Sequence, residues 1–496
     1  MTASAQLRSA ETTSLGSRRG VAILLLLSLV QFMDVLDASI LNIALPSIKH
    51  DLGFSQQSLQ WVIDGYLLTY GGFLLLGGRI ADLLGRRAVL VTGLVVFAGS
   101  SLTGGFAHSS SLLVGARFAQ GLGAAMLSPA ALSSLTTTFR TARDRNTALG
   151  VWGAVSGLGG AAGVLFGGLL TEGPGWRWVL WVNVPLSALA LVGAFALLKK
   201  ESAKARAGRF DAPGAVLVTG GMLLLVYALV KAPNVGWGAT RTIAELAGAA
   251  AILVAFVVNE LRVSHPLIPL SIVRVKGVAI ADLTQMVAIG GFVPMFFFLT
   301  LYMQTVLHYS PIQTGVAYLP LTGGFIIASG ISSQLFARVG TKPVVVAGAV
   351  IATAGLYWLS RIPLHGSYVA DILPGILVTS IGAGGVFVGL TTAANAGVDE
   401  DKAGLAAGLL NTGQQLGTAL GLAILSALAT ARTNSLLGGG HDTIAQAATG
   451  GYARGLLGGA ALVLAGGVIA LLGARNTRQA PVVVEDDAQP ALDTAA

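Results

Sequence analysis

The chain of 496 residues contains no cysteine and few charged side chains. The absence of cysteine excludes disulfides, thiolate catalysis and cysteine-bound metals. Asp, Glu, Lys and Arg make up only 10% of the residues, whereas soluble proteins average roughly 25%. A soluble fold of this size needs more polar surface than that. A cytosolic enzyme, a nucleic-acid-binding protein and a disordered chain are therefore excluded.

Several functional motifs are also missing. There is no Walker-type Gly-Lys-Ser/Thr motif, so ATP does not drive this chain directly. The apolar segments contain no serine, histidine and acid constellation and no cluster of metal ligands, so we expect neither catalysis nor a metal or other cofactor. The histidines all fall in or next to loops, which excludes a histidine proton relay: His50, His108, His265, His308, His365 and His441.

Long apolar runs, in contrast, are abundant. Hydrophobic residues make up 54% of the chain, and the mean hydropathy is +0.76. A run of about 20 residues crosses the ~30 Å hydrocarbon core of a bilayer. Fourteen such runs predict an all-α polytopic membrane protein with 14 transmembrane helices, at 21–46, 58–78, 88–107, 111–138, 146–170, 178–198, 212–231, 241–261, 277–305, 312–337, 343–361, 368–394, 402–430 and 453–474.

The basic residues predict the orientation of these spans. With a cytoplasmic N-terminus, 22 of the 30 Lys and Arg residues fall on the inner side, seven fall outside and one, Arg117, lies within a span. This distribution follows the positive-inside rule and explains the net charge of +8 as a topology signal. We expect both termini in the cytoplasm, a short N-terminal segment 1–20, a disordered tail 476–496 and a long external loop at 432–452.

Repeated features suggest an internal duplication. Gly85 and Gly340 lie 255 residues apart, and the glycines of span five recur in span thirteen at an offset of 254. We therefore predict two parallel six-helix halves, 21–198 and 277–475, joined by a linker 199–276 that carries an inserted transmembrane hairpin. Such organisation favours an alternating-access secondary transporter over a channel or a receptor.

Five charged residues stand out within the predicted spans. A charge at the bilayer centre costs about 2.5–3.5 kcal/mol on insertion scales, so it is kept for a reason. At ~1.5 Å per residue, Asp34, Asp37, Asp64 and Arg117 lie at mid-depth or in the outer half of the first six spans. Asp282 lies alone near the cytoplasmic end of span nine. One interpretation is a proton- and cation-handling cluster, and the alternative is a set of ion pairs that hold helices in register.

Motifs in several spans resemble those of one known family. The segments are L-D-A-S-I-L-N-I-A-L-P (36–46), G-R-I-A-D-L-L-G-R-R (78–87), R-F-A-Q-G-L-G-A-A (117–125), G-L-G-G-A-A-G-V-L-F-G-G (157–168), W-R-W-V-L-W-V-N-V-P (176–185), F-D-A-P-G-A-V-L (210–217), Y-M-Q-T-V-L-H-Y-S-P (302–311) and N-T-G-Q-Q-L-G (411–417). Together they are similar to the fourteen-helix drug:proton antiporter branch of the major facilitator superfamily. Ser39, Leu83 and Gly160 depart from the usual Thr, basic residue and Pro.

The resemblance implies roles for particular residues. Asp37 matches an acidic position and Arg117 a coupling arginine, whereas Asp34 is an acid that the motif does not require. The implied cytoplasmic gate consists of Gly78, Asp82, Gly85, Arg86 and Arg87. The implied helix-bending glycines are Gly157, Gly159, Gly160, Gly163 and Gly167. Candidate cavity-lining residues are Gln120, Tyr302, Asn411 and Gln414.

The function that follows is proton-coupled multidrug efflux. The expected partners are protons, hydrophobic or cationic small molecules and membrane lipid, without nucleic acid, and the chain is expected to work as a monomer in a bacterial inner membrane. Two alternatives remain open. One is a proton-coupled exporter of a specific metabolite or lipid, and the other is a membrane sensor that transports nothing.

Overall fold

The computed structural model describes most of the chain: residues 14–55, 58–139, 141–199, 211–264, 266, 277–395, 403–439, 443–474 and 476. Within these ranges every regular element is helical. The prediction of an all-α protein is therefore confirmed. Most of the predicted N-terminal segment and nearly all of the predicted tail lie outside the described residues.

Fourteen long helical segments run through the described ranges. The unbroken helices are α1 (Arg18–Leu52), α2 (Trp61–Leu84), α3 (Arg86–Gly105), α4 (Ser110–Thr138), α5 (Ala142–Glu172), α7 (Ala212–Val235), α8 (Thr240–Arg262), α11 (Thr341–Leu359), α13 (Ala403–Gly438) and α14 (Ile444–Gly473). The interrupted helices are α6 (Trp178–Trp181 and Asn183–Leu197), α9 (Val278–Phe292, Pro294–Leu301 and Tyr302–Val306), α10 (Pro311–Ala317 and Leu319–Val339) and α12 (Tyr368–Ile372 and Leu373–Asn395).

These helices correspond one to one with the fourteen predicted spans. Among the described residues, twelve of them are long and apolar enough to cross a membrane. The other two, α2 and α4, are 24 and 29 residues long and carry Asp64 and Arg117. The chain is thus a multi-pass membrane protein.

The predicted long external loop at 432–452 is wrong. Helix α13 continues to Gly438, and α14 already begins at Ile444, where Thr443 and Gln446 form a capping box. The capping box satisfies the first free N–H groups of a helix and fixes its start. Apolar runs reveal only the part of a helix that is embedded in lipid, so the polar ends of these two helices were missed.

The same helix pairings occur twice. Helix α1 packs on α5 and α6, α2 packs on α4, and α3 packs on α4 and α6; the corresponding contacts join α9 to α13 and α14, α10 to α12, and α11 to α12 and α14. We call α1–α6 the N-terminal half and α9–α14 the C-terminal half. This repeated packing matches the expected plan of two six-helix halves, whose exact residue limits stay a prediction.

The two halves meet mainly along two helix pairs, α2 with α13 and α5 with α10. Glycines bring the backbones together at the second pair: a Cβ atom at Gly168 would lie 2.7 Å from the Pro311 carbonyl oxygen, and one at Gly315 would lie 2.5 Å from that of Val164. The hairpin α7–α8 is attached through α7, which packs on α2 and α13.

Polar contacts also join the halves at the predicted external side. The Gln304 side chain in α9 donates to the Ile43 carbonyl oxygen of α1 at 2.9 Å. The Ile312 N–H at the start of α10 donates to the Glu172 carboxylate at the end of α5, at 3.0 Å. These contacts fasten the ends of α1 and α5 on this predicted external side to the C-terminal half.

Candidate functional site

The centre of the candidate site is the carboxylate of Asp37 on α1, which is fully buried. Its Oδ2 atom accepts a hydrogen bond from Arg117 Nη1 at 2.7 Å. Its Oδ1 atom accepts from Gln120 Nε2 at 2.7 Å and from Asn183 Nδ2 at 2.6 Å. Three donors from α4 and α6 therefore meet one carboxylate of α1, as a buried charge requires.

The Arg117 guanidinium is 2% exposed and has several further partners. Its Nε donates to the Val62 carbonyl oxygen at 2.9 Å, and its Nη1 donates to Gln120 Oε1 at 2.5 Å. The guanidinium carbon lies 4.3 Å from the centre of the Tyr66 ring, within the range of a cation–π contact. Gln120 Nε2 extends the network to Ser101 Oγ on α3 at 2.8 Å.

Asp34 lies one turn before Asp37 but has different partners. Its Oδ1 accepts a hydrogen bond from the Tyr66 hydroxyl at 2.8 Å, and its Oδ2 accepts from the Tyr70 hydroxyl at 2.6 Å. Among the described residues it forms no ion pair with Lys, Arg or His. The two acids lie one turn apart on one face of α1, but only Asp37 is paired with the arginine.

Asp34, Tyr66 and Tyr70, which we call the Asp34 cluster, extend to the contact between the two halves. The Tyr70 hydroxyl lies near the side chains of Ser128 on α4 and Asn411 on α13. Asn411 Nδ2 lies 3.4 Å from Ser128 Oγ. Asn411, a predicted cavity residue, is therefore brought to this cluster, while Gln414 lies on the same helix, partly buried.

The structure does not bring Asp64 and Asp282 into these networks. Asp64 is fully buried in the first turn of α2, and neither of its carboxyl oxygens has a hydrogen-bond partner among the described residues. Its place in the first turn is favourable to the helix dipole. Asp282 lies in α9 of the other half, and within the described part of the chain its two oxygens are also without a partner.

Tyr302 has its contacts elsewhere. The side chain is fully buried in α9, and its hydroxyl donates to the Pro363 carbonyl oxygen at 2.6 Å. Pro363 lies between α11 and α12, so this bond fastens an inter-helix loop of the C-terminal half. A cavity-lining role for Tyr302 stays a prediction.

The predicted cytoplasmic gate motif spans the turn between α2 and α3. Gly85 has a φ of 95°, which glycine adopts without strain. Arg86 Nη1 donates to Thr137 Oγ1 at the end of α4 at 3.0 Å, and Arg87 Nη2 donates to the Phe195 carbonyl oxygen at the end of α6 at 3.2 Å. A Cβ atom at Gly78 would be in ordinary contact with α4, 3.4 Å from Pro129 Cβ. The Asp82 side chain lies outside the described residues.

The glycines of α5 form a close contact with α1. A Cβ atom at Gly159 would lie 3.0 Å from the Phe32 carbonyl oxygen, one at Gly163 would clash with Ser39, and one at Gly167 would lie 2.6 Å from the Ile40 carbonyl oxygen. Gly160 faces open space. The surroundings of Gly157 lie outside the part of the chain that the structure describes. Helix α5 is unbroken from Ala142 to Glu172, so these glycines serve close packing here, and bending stays a prediction.

Several residues of the site were missed by the sequence analysis. Asn183 and Ser101 complete the Asp37 network, and Tyr66 and Tyr70 hold Asp34. The tyrosines did carry a signal: their i, i+4 spacing places both hydroxyls on one face of α2. Asn183 lies in a quoted motif, but its orientation toward α1 depends on the rotation of α6.

Comparisons with known proteins agree with this architecture. The family model described as Major Facilitator Superfamily matches residues 27–422. The chain is 41% identical to the puromycin resistance protein pur8 of Streptomyces alboniger over 89% of this chain and 87% of the relative. It is 40% identical to the cephamycin export protein CmcT of Amycolatopsis lactamdurans (84% and 87% covered) and 34% identical to the lincomycin resistance protein of Streptomyces lincolnensis (85% and 86% covered).

Solved structures match in fold alone. A crystal structure of a D-xylose-proton symporter superposes with a TM-score of 0.63 at 11% sequence identity, covering 92% of this chain and 98% of the symporter. Together with the family match and the relatives, this confirms the resemblance inferred from the motifs. The chain therefore belongs to the major facilitator superfamily, whose members are membrane transporters rather than enzymes.

Proposed function

We propose that the chain is a proton-coupled efflux antiporter that exports lipophilic, cationic compounds or antibiotics by alternating access. The observation that best supports this proposal is the environment of Asp34. Its buried carboxyl group is hydrogen-bonded by two uncharged hydroxyls and lies beside the contact between the halves. The relatives named for antibiotic resistance and export support the choice of substrate class.

The two neighbouring acids have different roles in this proposal. A proton on Asp37 would break a charge-assisted bond and leave the buried Arg117 guanidinium without its counter-ion, which is expensive. The partners of Asp34 are tyrosine hydroxyls, which act as donors or acceptors, so Asp34 gains or loses a proton without breaking an ion pair. We assign the coupled proton to Asp34 and a permanent positioning role to Asp37 and Arg117.

Tyr70 links this proton to the movement of the halves. When Asp34 is ionised, both tyrosine hydroxyls donate to it. A protonated Asp34 itself becomes a donor, which frees the Tyr70 hydroxyl to bond Ser128 and Asn411 differently. The proton thus acts on the contact between α4 and α13, and a difference in proton affinity between two conformations is what coupling requires.

The substrate competes with the proton for the same negative charge. A lipophilic cation that enters from the cytoplasm would balance an ionised Asp34, and an external proton would displace it once the site faces outward. We expect cytoplasmic termini, a bacterial inner membrane and activity as a monomer surrounded by lipid. The contacts at the external ends of α1 and α5 would form the external seal of this cycle.

The test is a proton-flux assay in proteoliposomes. The panel contains ethidium as a lipophilic cation, together with puromycin, lincomycin and a cephamycin. We expect substrate-dependent proton flux for the wild type, and for Asp34→Asn loss of that flux together with weaker binding of ethidium, because the charge that balances the cation is gone. Asp51→Asn, a change at an exposed external pair, should behave as the wild type. Full proton coupling in Asp34→Asn, or no flux with any compound, would contradict the proposal.

A second candidate is an exporter dedicated to one compound. The 40% identity to a cephamycin export protein favours it, because that relative is named for a single class of product. This candidate predicts a response to one member of the panel and none to ethidium. A membrane sensor predicts no flux in any condition.

A further inference from the structure

Asp64 differs from the other buried acids of the N-terminal half in its lack of partners. The residue is 0% exposed, and among the described residues neither of its carboxyl oxygens takes part in a hydrogen bond. Burial of an unpaired carboxylate is strongly unfavourable, whereas a protonated carboxyl group carries no charge. The helix dipole at the start of α2 favours the ionised form, but this effect is small beside the cost of burial.

Asp64 lies on the face of α2 that packs on α13 of the other half. Gly71 identifies this face, because an added Cβ atom there would lie 3.0 Å from Gln415 Cβ and 3.2 Å from Leu416 Cδ2 of α13. Asp64 precedes Gly71 by seven residues, which is two turns of a helix, so both residues point the same way. Gln60, whose backbone is already helical, lies one turn before Asp64 on the same face.

The opposing face of α13 carries Ser426 at the same level. Consecutive spans alternate in direction, so α2 and α13 are antiparallel, and levels can be counted from the contact between Gly71 and Leu416. Seven residues toward the predicted external side lead to Asp64 on one helix and to Ala423 on the other. Ala423 packs in the same hydrophobic cluster as residues of α2, and Ser426 follows one turn later.

The polar side chains at this level all contain buried oxygen atoms without a partner. Gln60 and Ser426 are 2% and 6% exposed, and neither Gln60 Oε1 nor Ser426 Oγ has a hydrogen-bond partner among the described residues. While Asp64 is ionised, its oxygens and the Gln60 oxygen can only accept hydrogen bonds. A proton on Asp64 supplies the donor that the Gln60 oxygen, one turn away, lacks.

The charged groups of the N-terminal half lie on the opposite side of α2. Arg117 on α4 contacts the Val62 carbonyl oxygen and the Tyr66 ring, which are about 200° around the helix from Asp64. The two acids of α1 belong to that side as well, since Asp37 pairs with Arg117 and Asp34 accepts from Tyr66. The arginines of α3 stand at its cytoplasmic start.

The helices on the near side of α2 offer no replacement for the proton among the described residues. Arg432 is the one charged residue of α13, and it is exposed at the far end of the helix. In α7 the titratable groups are Lys231, which is exposed, and Tyr227, whose hydroxyl accepts from Arg241 Nη2 at 3.0 Å. The neutral form of Asp64 is therefore the one that suits this contact.

We propose that Asp64 is a second proton site, reached only from the external side, whose proton lets the α2–α13 contact close and is not released to the cytoplasm. Asp64 lies in the first turn of α2, so it meets external water when the halves separate on that side. There it binds or loses a proton according to the external pH, and only the protonated form is buried again. An alkaline external medium thus holds the carrier open to the outside.

This inference rests on the proposed function for the orientation and for alternating access, but not for the role of Asp34. The two acids receive different tasks. The Asp34 proton crosses the membrane in each cycle, whereas the Asp64 proton enters and leaves on the same side.

The test measures closure of the external ends directly, without transport. The chain has no cysteine, so Ser55→Cys before α2 and Ser435→Cys in the last turn of α13, both at exposed positions, each take one spin label. Double electron–electron resonance of the full chain in nanodiscs gives the distance between the labels as the pH is varied. The Asp34→Asn background is used, because the carboxyl of the Asp34 cluster then no longer titrates.

We expect the short distance to gain on the long one as the pH falls. The closed form holds one more proton than the open form, so their ratio should change by up to about tenfold per pH unit. Asp64→Asn and Asp64→Leu need no proton for burial and should keep the short distance at every pH. Gln60→Leu removes the acceptor and should move the midpoint about one unit toward lower pH. Asp51→Asn, which removes a carboxylate from an exposed pair on the same side, should leave the titration unchanged.

A transport measurement separates this role from that of a second coupled proton. With Asp34 intact, Asp64→Asn should move as many protons per substrate as the wild type, while inhibition by an alkaline external medium is lost. A lower proton-to-substrate ratio in Asp64→Asn would overturn the inference. A distance that does not respond to pH in the Asp34→Asn background, or a titration that survives in both Asp64 variants, would overturn it too. Absence of proton flux in the wild type contradicts the proposed function instead, and the distance measurement still decides the role of Asp64.

Discussion

Two Arg–Asp pairs in this protein have the same bond length but different surroundings. Arg117 Nη1 lies 2.7 Å from Asp37 Oδ2, and Arg177 Nη1 lies 2.7 Å from Asp51 Oδ2. The side chains of the first pair are 2% and 0% exposed, and those of the second are 29% and 44% exposed. Asp37→Asn and Asp51→Asn therefore each remove a carboxylate charge from an Arg–Asp contact of the same length. The first contact is buried, and the second is accessible to water.

The loss of stability should differ several-fold. Removing one member of a buried pair typically costs about 3–5 kcal/mol, because the remaining charge has no counter-ion. In Asp37→Asn the guanidinium keeps the Val62 carbonyl and the Gln120 amide, which are dipoles and do not neutralise it. The exposed pair should cost about 0–1 kcal/mol, although Asp51 also accepts a bond from Trp176 Nε1 at 3.0 Å.

The assay is reversible denaturant unfolding of the purified variants in one detergent, followed by tryptophan fluorescence. A double variant, Asp37→Asn with Arg117→Met, should be more stable than Asp37→Asn alone, because the unpaired charge is then gone. Equal losses for Asp37→Asn and Asp51→Asn would refute the argument from burial. The argument would also be refuted if the double variant lost as much stability as Asp37→Asn and Arg117→Met lose together as single variants.

Three further predictions follow from single contacts. Tyr70→Phe, which removes a donor to Asp34, should slow proton-coupled transport about tenfold, equivalent to ~1.4 kcal/mol, while substrate binding measured by titration is unchanged; unaltered transport would exclude Tyr70 from the coupling path. Gly167→Ala should lower the unfolding free energy by about 1–3 kcal/mol through overpacking, whereas Gly160→Ala, in open space, should raise it or leave it unchanged; the reverse order in denaturant unfolding would contradict the packing. Thr443→Ala should increase amide hydrogen exchange in the first turn of α14, since a lost N-cap costs about 0.5–2 kcal/mol, and unchanged exchange would argue against the cap.

The sequence was sufficient for the number and type of the helices but not for all of their ends. An apolar run is detected because it is embedded in lipid, so the predicted spans follow α1–α12 closely. Helix α13 was predicted to end at 430 and ends at Gly438, and α14 was predicted to begin at 453 and begins at Ile444. Beyond the bilayer a helix depends on caps and propensity, which hydropathy does not measure.

The candidate site was predicted in part, for a related reason. Depth along a helix can be counted in residues, and it placed Asp34, Asp37, Asp64 and Arg117 at similar levels; of the three acids, the structure pairs Asp37 with Arg117. Depth does not say which way a side chain faces once helices rotate and pack. Asp64 has a suitable depth but lies outside the Arg117 network, and the contribution of Asn183 becomes visible only when α6 is packed against α1.

The bare backbone contact between α5 and α10 has a practical consequence. With only 2.7 Å between a Cβ atom at Gly168 and the Pro311 carbonyl oxygen, one added methyl group penalises the conformation described here. It would not penalise a conformation in which these two helices have moved apart. Gly168→Ala should therefore shift the population toward a conformation in which α5 and α10 are separated. This single methyl group is therefore a means of trapping the conformation with separated helices for structure determination.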